Sequence, residues 1–338
     1  MASSKKIRFG VLGCSRVAKK SALPALCNST IAELRAVASR DPRNARAYAE
    51  QFSCSSYDTY EEVLTDKDID AVYISLPNHL HEEWSIKAAK AGKHIWCEKP
   101  AGLSYTSVKK IITICKQYNV RFMEGFTFLY HPQHMQVQNL IAQGVLGDPL
   151  TFTGCFAYPM PAPGSSLLNT QDLGGGSYYD AAVYPIRASR MIFDQEPESI
   201  ACILTFDTSG HINTRADVLL SYPDGQSAFI SSAFGAYFQS TYSVLGSTAR
   251  ISIERAYAVP KERPVKIFLD KDDTTQEIMV EPADQFRLMI DDFCREILLG
   301  NNSKKDFETD ALAQARILTA GLISHAENRI VHLSELDS

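Results

Sequence analysis

The sequence predicts an α/β domain with a parallel sheet, followed by an α+β domain with an open, mainly antiparallel sheet. Its 338 residues suit two domains of roughly 150 residues each. From residue 7 to about 145, short apolar runs alternate with longer amphipathic stretches, which is typical of βαβ units. From about 150 to 280, strand-like runs are separated by turn residues, as at Pro223-Asp224-Gly225.

We expect a first domain over residues 1–125 and a second over 126–338, with the final helices as candidates to pack back on the first domain. Strands of the first domain begin at Ile7, Glu33, Ala71, Lys93 and Val120. The helix-like segments between and after them read VAKKSALPAL, NARAYAEQF, HEEWSIKAAKAG and SYTSVKKIITICKQY. Ser104 is a candidate N-cap for the last of these. Two further helices close the chain, and Thr309 is a candidate N-cap for the second.

Composition and charge exclude several classes of protein. Hydrophobic residues make up 45% and charged residues 22%, which is ordinary globular usage. The net charge of -5 argues against a nucleic-acid partner. No stretch approaches the roughly 18 to 20 apolar residues that cross a bilayer, so no membrane partner is expected. The eight cysteines include no CxxC pair, which favours reduced thiols in the cytoplasm.

A turn of small residues after the first strand is a candidate phosphate-binding site. It comprises Gly13, Cys14, Ser15, Arg16, Val17 and Ala18. The turn fits GxGxxG/A only with Ser15 in place of the second glycine. A tight strand-to-helix turn exposes backbone N–H groups that can bind the pyrophosphate of a dinucleotide. An ordinary turn without a ligand is the alternative.

The end of the second strand favours NADP(H) as cofactor. About 25 residues after Gly13, an NAD-binding fold offers an acid to the ribose hydroxyls. Ser39 and Arg40 stand in that place. Ser39 can donate to a phosphate oxygen, and the planar guanidinium of Arg40 can hold a 2′-phosphate. The alternative for Arg40 is a surface charge.

Four motifs together resemble those of a known family. The stretches are GVLGCSRVA, ISLPNHLHEEW with Pro77 and His81, HIWCEKPAGLS with Glu98-Lys99-Pro100, and GGGSYYDAAVYPI with Asp180 and Tyr184. Their order and spacing resemble the glucose-fructose oxidoreductase and inositol dehydrogenase (Gfo/Idh/MocA) family of NAD(P)-dependent sugar oxidoreductases. Within it, MEGFTFLYHPQH, VYPIRA and PADQF look most like NADPH-dependent 3-ketoreductases of nucleotide-linked keto-deoxy sugars.

The resemblance implies an N-terminal Rossmann domain and a C-terminal domain that binds substrate and forms oligomers. It implies cofactor contacts from the glycine turn and from the following residues: Ser39, Arg40, Leu76, Pro77, His81, Glu98 and Lys99. Candidate substrate contacts are His131, Asp180 and Arg187, and Tyr237, Phe238 and Tyr242 could stack a nucleotide base if they are not core residues. No metal is implied.

Lys99 and Tyr184, with Asp180, are the candidate catalytic residues. Reduction of a ketone needs a hydride on carbon and a proton for the developing alkoxide. The Lys99 ammonium, just beyond a parallel strand, can hydrogen-bond the carbonyl oxygen. Asp180 and Tyr184 are four residues apart and share a face if the segment is helical. Because tyrosine has a reference pKa near 10, Tyr184 is suited to donate a proton.

We therefore expect an NADPH-dependent reductase of a keto-deoxy sugar, with a nucleotide sugar as the leading substrate class. A dehydrogenase of free sugars, inositols or dihydrodiols is the alternative. A non-catalytic NADP-binding sensor is a third hypothesis, against which Lys99 and Tyr184 speak. Because a large sheet face is usually covered, we also expect a homo-oligomer, either a dimer or a tetramer.

Overall fold

The computed structural model describes residues 5–165 and 168–337, which divide into two compact units. The first unit comprises the chain up to Thr127 together with Asp284–Leu312. The second comprises Phe128–Ala283 together with the chain from Ala313 onward. A late segment of the sequence therefore belongs to the first unit.

A six-stranded parallel sheet forms the centre of the first unit. Its strands are β1 (Ile7–Leu12), β2 (Ala32–Ala38), β3 (Ser55–Tyr57), β4 (Ala71–Ile74), β5 (His94–Cys97) and β6 (Phe122–Glu124). Their order across the sheet is β3-β2-β1-β4-β5-β6. The order reverses between β1 and β4, and folds of this class bind ligands at the carboxyl ends of the strands flanking that point.

Helices cover this sheet. They are α1 (Leu23–Asn28), α2 (Pro42–Phe52), α3 (Tyr60–Thr65), α4 (His81–Lys90), α5 (Tyr105–Gln117) and the late helix α8 (Gln285–Leu299). A π-helical turn over Ala18–Ala22 precedes α1. Ser104 caps α5 as predicted, because its side chain accepts the N–H of Ser107 (3.1 Å). The hydroxyl of Ser29, after α1, donates to Asp291 of α8 (2.6 Å).

Two short elements, β3 and α3, are absent from the sequence prediction. Strand β3 has three residues, of which two are exposed, so it carries no apolar pattern. Helix α3 begins with a capping box in which Thr59 and Glu62 each accept the other's backbone N–H (3.3 and 3.1 Å). The spacing Thr-x-x-Glu was a usable signal for this helix.

A nine-stranded sheet forms the centre of the second unit. Its strands are β7 (Pro149–Tyr158), β8 (Ser199–Phe206), β9 (Asn213–Ser221), β10 (Ser227–Phe234), β11 (Gln239–Gly246), β12 (Arg250–Ile253), β13 (Val265–Lys271), β14 (Thr274–Val280) and β15 (Val331–His332). The order is β14-β13-β12-β11-β7-β10-β9-β8-β15. Only β7 and β10 pair in parallel among these described strands, so the predicted mainly antiparallel sheet is confirmed. The predicted turn at Pro223-Asp224-Gly225 joins β9 to β10.

Helices pack on one face of this second sheet. They are α6 (Pro132–Ala142), a π-helical turn (Tyr178–Ala182) that continues into α7 (Val183–Phe193), and the later part of α9 (Phe307–Glu327). The hydroxyl of Tyr178 donates to the carbonyl of Leu318 in α9 (3.0 Å). Helix α9 starts earlier than predicted: Asp306 accepts the N–H of Thr309 (2.9 Å), so the capping side chain is Asp306 and not Thr309.

No helix among residues 5–165 and 168–337 is long and apolar enough to span a membrane. All eight cysteines carry free thiols. Within the described part of the chain, no group of three or more His, Cys, Asp or Glu side chains could hold a metal ion.

Candidate active site

The turn after β1 has a conformation and a packing at Gly13 that only glycine permits. Gly13 has a φ of +102°, and its N–H donates to the carbonyl of Ala38 at the end of β2 (3.0 Å). A Cβ here would lie 2.5 Å from the carbonyl oxygen of Ser75 and would also meet the side chain of Leu76. Gly13 therefore draws together the carboxyl ends of β1, β2 and β4.

Ser15 uses its hydroxyl where the family pattern has a second glycine. Its Oγ accepts the N–H of Ala18 (3.1 Å), the first residue of the π-helical turn, and contacts the hydroxyl of Ser75. The other turn residues are half-buried or exposed: Cys14, Arg16 and Val17. Burial raises the pKa of the Cys14 thiol to about 11, so this residue of the turn carries no negative charge at neutral pH.

The end of β2 leaves one guanidinium available to a ligand. Ser39 is buried, and its Oγ accepts the N–H of Asp41 (3.3 Å). Asp41 is the nearest acid, but its carboxylate caps α2 and accepts two hydrogen bonds from the side chain of Arg43 (3.1 and 2.9 Å). Arg40 is exposed, and within the described residues its side chain has no ion-pair partner.

Ser39 and Arg40 line a groove of about 410 Å³ in the first unit. The other lining residues are Asp58, Thr59, Tyr60, Glu61, His79, Leu80, Glu83 and Trp84. The three carboxylates are all paired: Lys87 Nζ lies 2.7 Å from Glu83 and 3.2 Å from Glu61, and Arg46 lies 3.3 Å from Asp58. Arg40 thus faces the groove as a cation whose charge is not cancelled.

This edge of the first unit fits a dinucleotide with a 2′-phosphate. The absence of a side chain at Gly13 lets the backbone approach a pyrophosphate closely. The guanidinium of Arg40 matches the geometry of a phosphate. Leu76 and Pro77, which follow β4, lie at the same edge of the sheet, Leu76 buried and Pro77 half-buried.

The loop after β5 begins with Glu98, which a buried tyrosine holds. Tyr73 on β4 is fully buried and stacks on Trp96 with 3.9 Å between ring centroids. Its hydroxyl donates to Oε1 of Glu98 (2.6 Å). Burial raises the pKa of Tyr73 well above its ordinary value, and the Glu98 carboxylate adds to this effect. The tyrosine therefore stays a hydrogen-bond donor at any ordinary pH.

The far end of the same loop is held by two other elements. The ring Nδ1 of His81 lies 2.7 Å from the carbonyl oxygen of Pro100. The N–H of Ala101 donates to a carboxylate oxygen of Glu124 on β6 (2.7 Å). Lys99 lies between the two held ends; it is half-buried, and its peptide bond to Pro100 is cis. Because the N–H of Glu98 also donates to the carbonyl of Ile74 (3.0 Å), the backbone is fixed on both sides of Lys99.

His81 supports this loop and does not face a ligand. Its ring is fully buried, with Nε2 2.9 Å from the carbonyl oxygen of Leu76 and Nδ1 beside Pro100. Burial lowers the pKa of His81, although both ring nitrogens face acceptors. The expectation that His81 contacts the cofactor is corrected accordingly, because no part of its side chain is accessible.

In the second unit, the three-glycine run places the start of a helical segment. Gly176 has a φ of +92°, and a Cβ there would lie 2.3 Å from the side chain of the buried Asn213. Asn213 Oδ1 in turn accepts the N–H of Tyr178 (2.8 Å). Asp180 and Tyr184 follow, half-buried among buried neighbours. They share the accessible side of the segment, as the helical spacing indicates.

Tyr158 contacts Asp180, and no feature of the amino-acid sequence predicts this contact. Its hydroxyl, at the last residue of β7, donates to Oδ2 of Asp180. Burial raises the pKa of Tyr158, and the Asp180 carboxylate raises it further. The two residues are 22 positions apart and meet only because β7 lies beside the helical segment. A tyrosine at the end of an alternating strand is too common to serve as a signal.

Aromatic side chains hold the ring of Tyr184. Its centroid lies 5.2 Å from that of Phe156, 5.8 Å from that of Phe128 and 5.9 Å from that of Tyr257. These three neighbours are buried. We call these four side chains the Tyr184 aromatic group.

His131 and Arg187, both candidate substrate contacts, differ in exposure. His131 is 1% exposed, and its Nδ1 accepts the N–H of Gln133 at the start of α6 (3.4 Å). Burial lowers the pKa of His131 to about 4, so it is neutral. The expectation of a substrate contact by His131 is corrected, since its side chain offers almost no surface. Arg187 is half-buried on α7 one turn after Tyr184, and its contact with substrate stays a prediction.

Comparison with known proteins defines the class. Residues 7–126 match the Gfo/Idh/MocA oxidoreductase family with its NAD-binding Rossmann fold. Residues 134–252 match the Gfo/Idh/MocA C-terminal domain. The chain therefore belongs to the Gfo/Idh/MocA family of oxidoreductases, as its motifs indicate.

Three relatives show which members it is similar to. The dTDP-3,4-didehydro-2,6-dideoxy-alpha-D-glucose 3-reductase of Actinomadura kijaniata is 31% identical over 94% of this chain and 96% of its own. The NADP(+)-dependent D-xylose 1-dehydrogenase 2 of Haloferax volcanii is 30% identical over 89% of this chain and 92% of its own. The crystal structure of KijD10, a 3-ketoreductase from Actinomadura kijaniata in complex with NADP and TDP-benzene, has a TM-score of 0.90 at 30% identity, covering 95% of this chain and 98% of that chain.

Proposed function

We propose that this protein uses NADPH to reduce a keto group of a deoxy sugar that is linked to a nucleoside diphosphate. The observation that carries the proposal is the loop that fixes Lys99 from both sides, which suits a cation that stabilises an oxyanion. The name of the Actinomadura reductase and the ligands of KijD10 support the substrate class and the cofactor.

The cofactor's phosphates are assigned to residues of the first unit. The turn at Gly13 and the backbone N–H groups after it receive the pyrophosphate. Ser39 and Arg40 receive the 2′-phosphate. The rest of the cofactor contacts residues at the carboxyl ends of β4 and β5, namely Leu76, Pro77, Glu98 and Lys99. When bound, NADPH supplies the hydride that the carbonyl carbon receives.

Lys99 stabilises the negative charge that develops on the carbonyl oxygen. An ammonium held by a fixed backbone needs little reorganisation when charge appears, and this preorganisation lowers the barrier. Tyr184 donates the proton that completes the alcohol, because a phenol is protonated at neutral pH. Asp180, oriented by the Tyr158 hydroxyl, positions the sugar through its hydroxyl groups.

Turnover measurements test this proposal directly. Purified protein is mixed with NADPH and an enzymatically prepared dTDP-linked 3-keto-deoxy sugar, and nucleotide oxidation is followed by absorbance. We expect reduction with a higher specificity constant than for the oxidation of D-xylose or of a dihydrodiol with NADP⁺. Faster oxidation of either free substrate contradicts the nucleotide-sugar assignment and supports the dehydrogenase alternative, which the Haloferax relative represents.

We also propose that the uncovered face of the second sheet forms a homo-oligomer. Three large apolar side chains lie exposed on that face: Ile203 (64%), Phe229 (50%) and Leu245 (49%). Around Phe229, register places Leu219 of β9 and Thr153 of β7, neither of them charged. Sedimentation at micromolar concentration should show a dimer or tetramer that Phe229→Asp dissociates, whereas a wild-type monomer overturns the proposal.

A further inference from the structure

An aromatic turn near the Tyr184 aromatic group is exposed without covering structure. It joins β10 to β11 and comprises residues 235–238. Tyr237 within it is 89% exposed, the largest exposure of any large apolar or aromatic side chain among the described residues. Tyr242, the third aromatic residue of this region, is instead buried at 1% exposure. A ring so exposed leaves a face free on which a nucleotide base can stack.

A guanidinium lies beside this turn without a counter-charge. The Cζ of Arg255 is 4.5 Å from the centroid of the Phe238 ring, so the side chain stacks on the turn. Arg255 is partly buried, and in the described part of the chain no carboxylate forms an ion pair with it. Arg250, on the preceding strand, pairs with Asp270 (2.7 Å). The two arginines are close in sequence but only one is free to bind an anion.

The backbone connects this turn to the proposed catalytic residues on two sides. Ala256 and Tyr257 donate their N–H groups to Ser240, to its carbonyl (2.6 Å) and its Oγ (3.0 Å), respectively. Arg255 precedes Tyr257 by two residues, and the ring of Tyr257 belongs to the Tyr184 aromatic group. On the other side, the N–H of Ala236 donates to the carbonyl of Tyr158 (3.3 Å). Tyr158 is the residue whose hydroxyl orients Asp180.

We propose that Arg255 and Tyr237 bind the nucleoside diphosphate part of the substrate, Arg255 through the diphosphate and Tyr237 by stacking on the base. This rests on the proposed function, since only a nucleotide-linked sugar needs such a site. Guanidinium groups bind phosphate through paired hydrogen bonds, and an exposed ring offers a face to any base. A stacked arginine is also already ordered, so less conformational entropy is lost when phosphate binds.

The test measures binding, not activity. Calorimetric titrations use thymidine diphosphate, thymidine and inorganic pyrophosphate as probes, with NADP⁺ present at saturation so that the cofactor site is filled. Arg255→Gln should weaken thymidine diphosphate by about 10-fold or more while leaving thymidine unchanged. Tyr237→Ala should weaken both thymidine and thymidine diphosphate, by about 5-fold or more, and leave pyrophosphate unchanged.

Arg250→Gln is the matched control, because it removes a guanidinium from the same sheet that is already paired. Equal affinities for thymidine diphosphate in wild type, Arg255→Gln and Tyr237→Ala overturn the proposal, as does an equal loss in Arg250→Gln. Circular dichroism confirms that each variant is folded.

The outcome also separates this inference from the proposed function. If Arg255→Gln and Tyr237→Ala both reduce a dTDP-linked keto sugar as fast as the wild type, the proposed binding site is wrong and the proposed function stands. Arg255-dependent binding of thymidine diphosphate without any reduction keeps the site and contradicts the function.

Discussion

The loop around Lys99 and the aromatic group around Tyr184 hold their proposed catalytic residues by different forces. Hydrogen bonds with Tyr73, His81 and Glu124 hold the residues on both sides of Lys99, through the Glu98 carboxylate, the Pro100 carbonyl and the Ala101 N–H, respectively. Tyr184 is held by ring packing. Hydrogen bonds fix atoms through distance and angle, whereas ring packing depends on volume and shape. The first region should therefore respond most to changes of polar atoms, and the second to changes of volume.

Replacement of Lys99 by Met gives the largest effect we expect. The change keeps the length of the side chain and removes the ammonium that stabilises the oxyanion. We expect turnover to fall by about 10³-fold or more, while the affinity for NADPH changes little because its phosphates are bound elsewhere. Stopped-flow reduction and fluorescence titration with NADPH measure the two separately. Lys90→Met, at the exposed end of α4, is the control.

If the Lys99→Met variant keeps turnover near the wild-type value, Lys99 takes no part in the chemical step. Loss of NADPH binding together with turnover would instead assign Lys99 to the cofactor site alone.

Replacement of Tyr184 by Phe tests the second region without altering its packing. Phe keeps the ring that Phe156, Phe128 and Tyr257 surround and removes only the hydroxyl. We expect turnover to fall by at least about 10²-fold if this hydroxyl is the proton donor, with thermal stability nearly unchanged. Tyr118→Phe, on an exposed tyrosine after α5, is the control. A smaller loss shifts the proton transfer to Lys99, and the double variant should then lose no more than Lys99→Met alone.

The fold was predictable from sequence where the patterns were long. Strand β1 begins at the predicted Ile7, and β4 at the predicted Ala71, because buried parallel strands are continuous apolar runs. Strand β6 begins at Phe122 instead of Val120, since pairing with β5 decides where the ladder starts. The parallel pairing of β7 with β10 leaves no local pattern in either strand.

The candidate site can be proposed from the sequence only as far as its motifs reach. Lys99 and Tyr184 follow from short motifs, but their supports depend on chain segments that meet only after folding. Tyr158 and Asp180 illustrate this, as do the three hydrogen bonds of the Lys99 loop. The burial of His81 could not be predicted, because its partners are the backbone carbonyls of Leu76 and Pro100, which meet its ring only after folding.

Replacement of Arg40 by Ala tests the groove of the first unit. Loss of a charge-assisted hydrogen bond costs about 1.5 to 3 kcal/mol, so NADPH should bind about 10- to 150-fold more weakly. NADH, which has no 2′-phosphate, should bind nearly as before. Arg43→Ala removes a guanidinium three residues away that is already paired with Asp41, and it should leave both affinities unchanged. An NADH specificity constant equal to or above that of NADPH in the wild type contradicts this assignment.

The smallest effect concerns Lys87, which holds two carboxylates of the same groove. Lys87→Gln leaves Glu61 and Glu83 uncompensated where the 2′-phosphate is expected. Because these pairs are partly exposed, and therefore screened, NADPH affinity should fall only about 2- to 5-fold at low salt. The loss should shrink as the ionic strength rises, because salt screens the repulsion between like charges. NADH should be unaffected, because it has no 2′-phosphate. Adding Glu83→Gln should restore part of the affinity, and Lys110→Gln, whose partner Glu82 does not line the groove, is the control. An equal loss for NADH, or one independent of salt, would show that Lys87 acts through its stacking on Trp84 (4.0 Å) and not through charge.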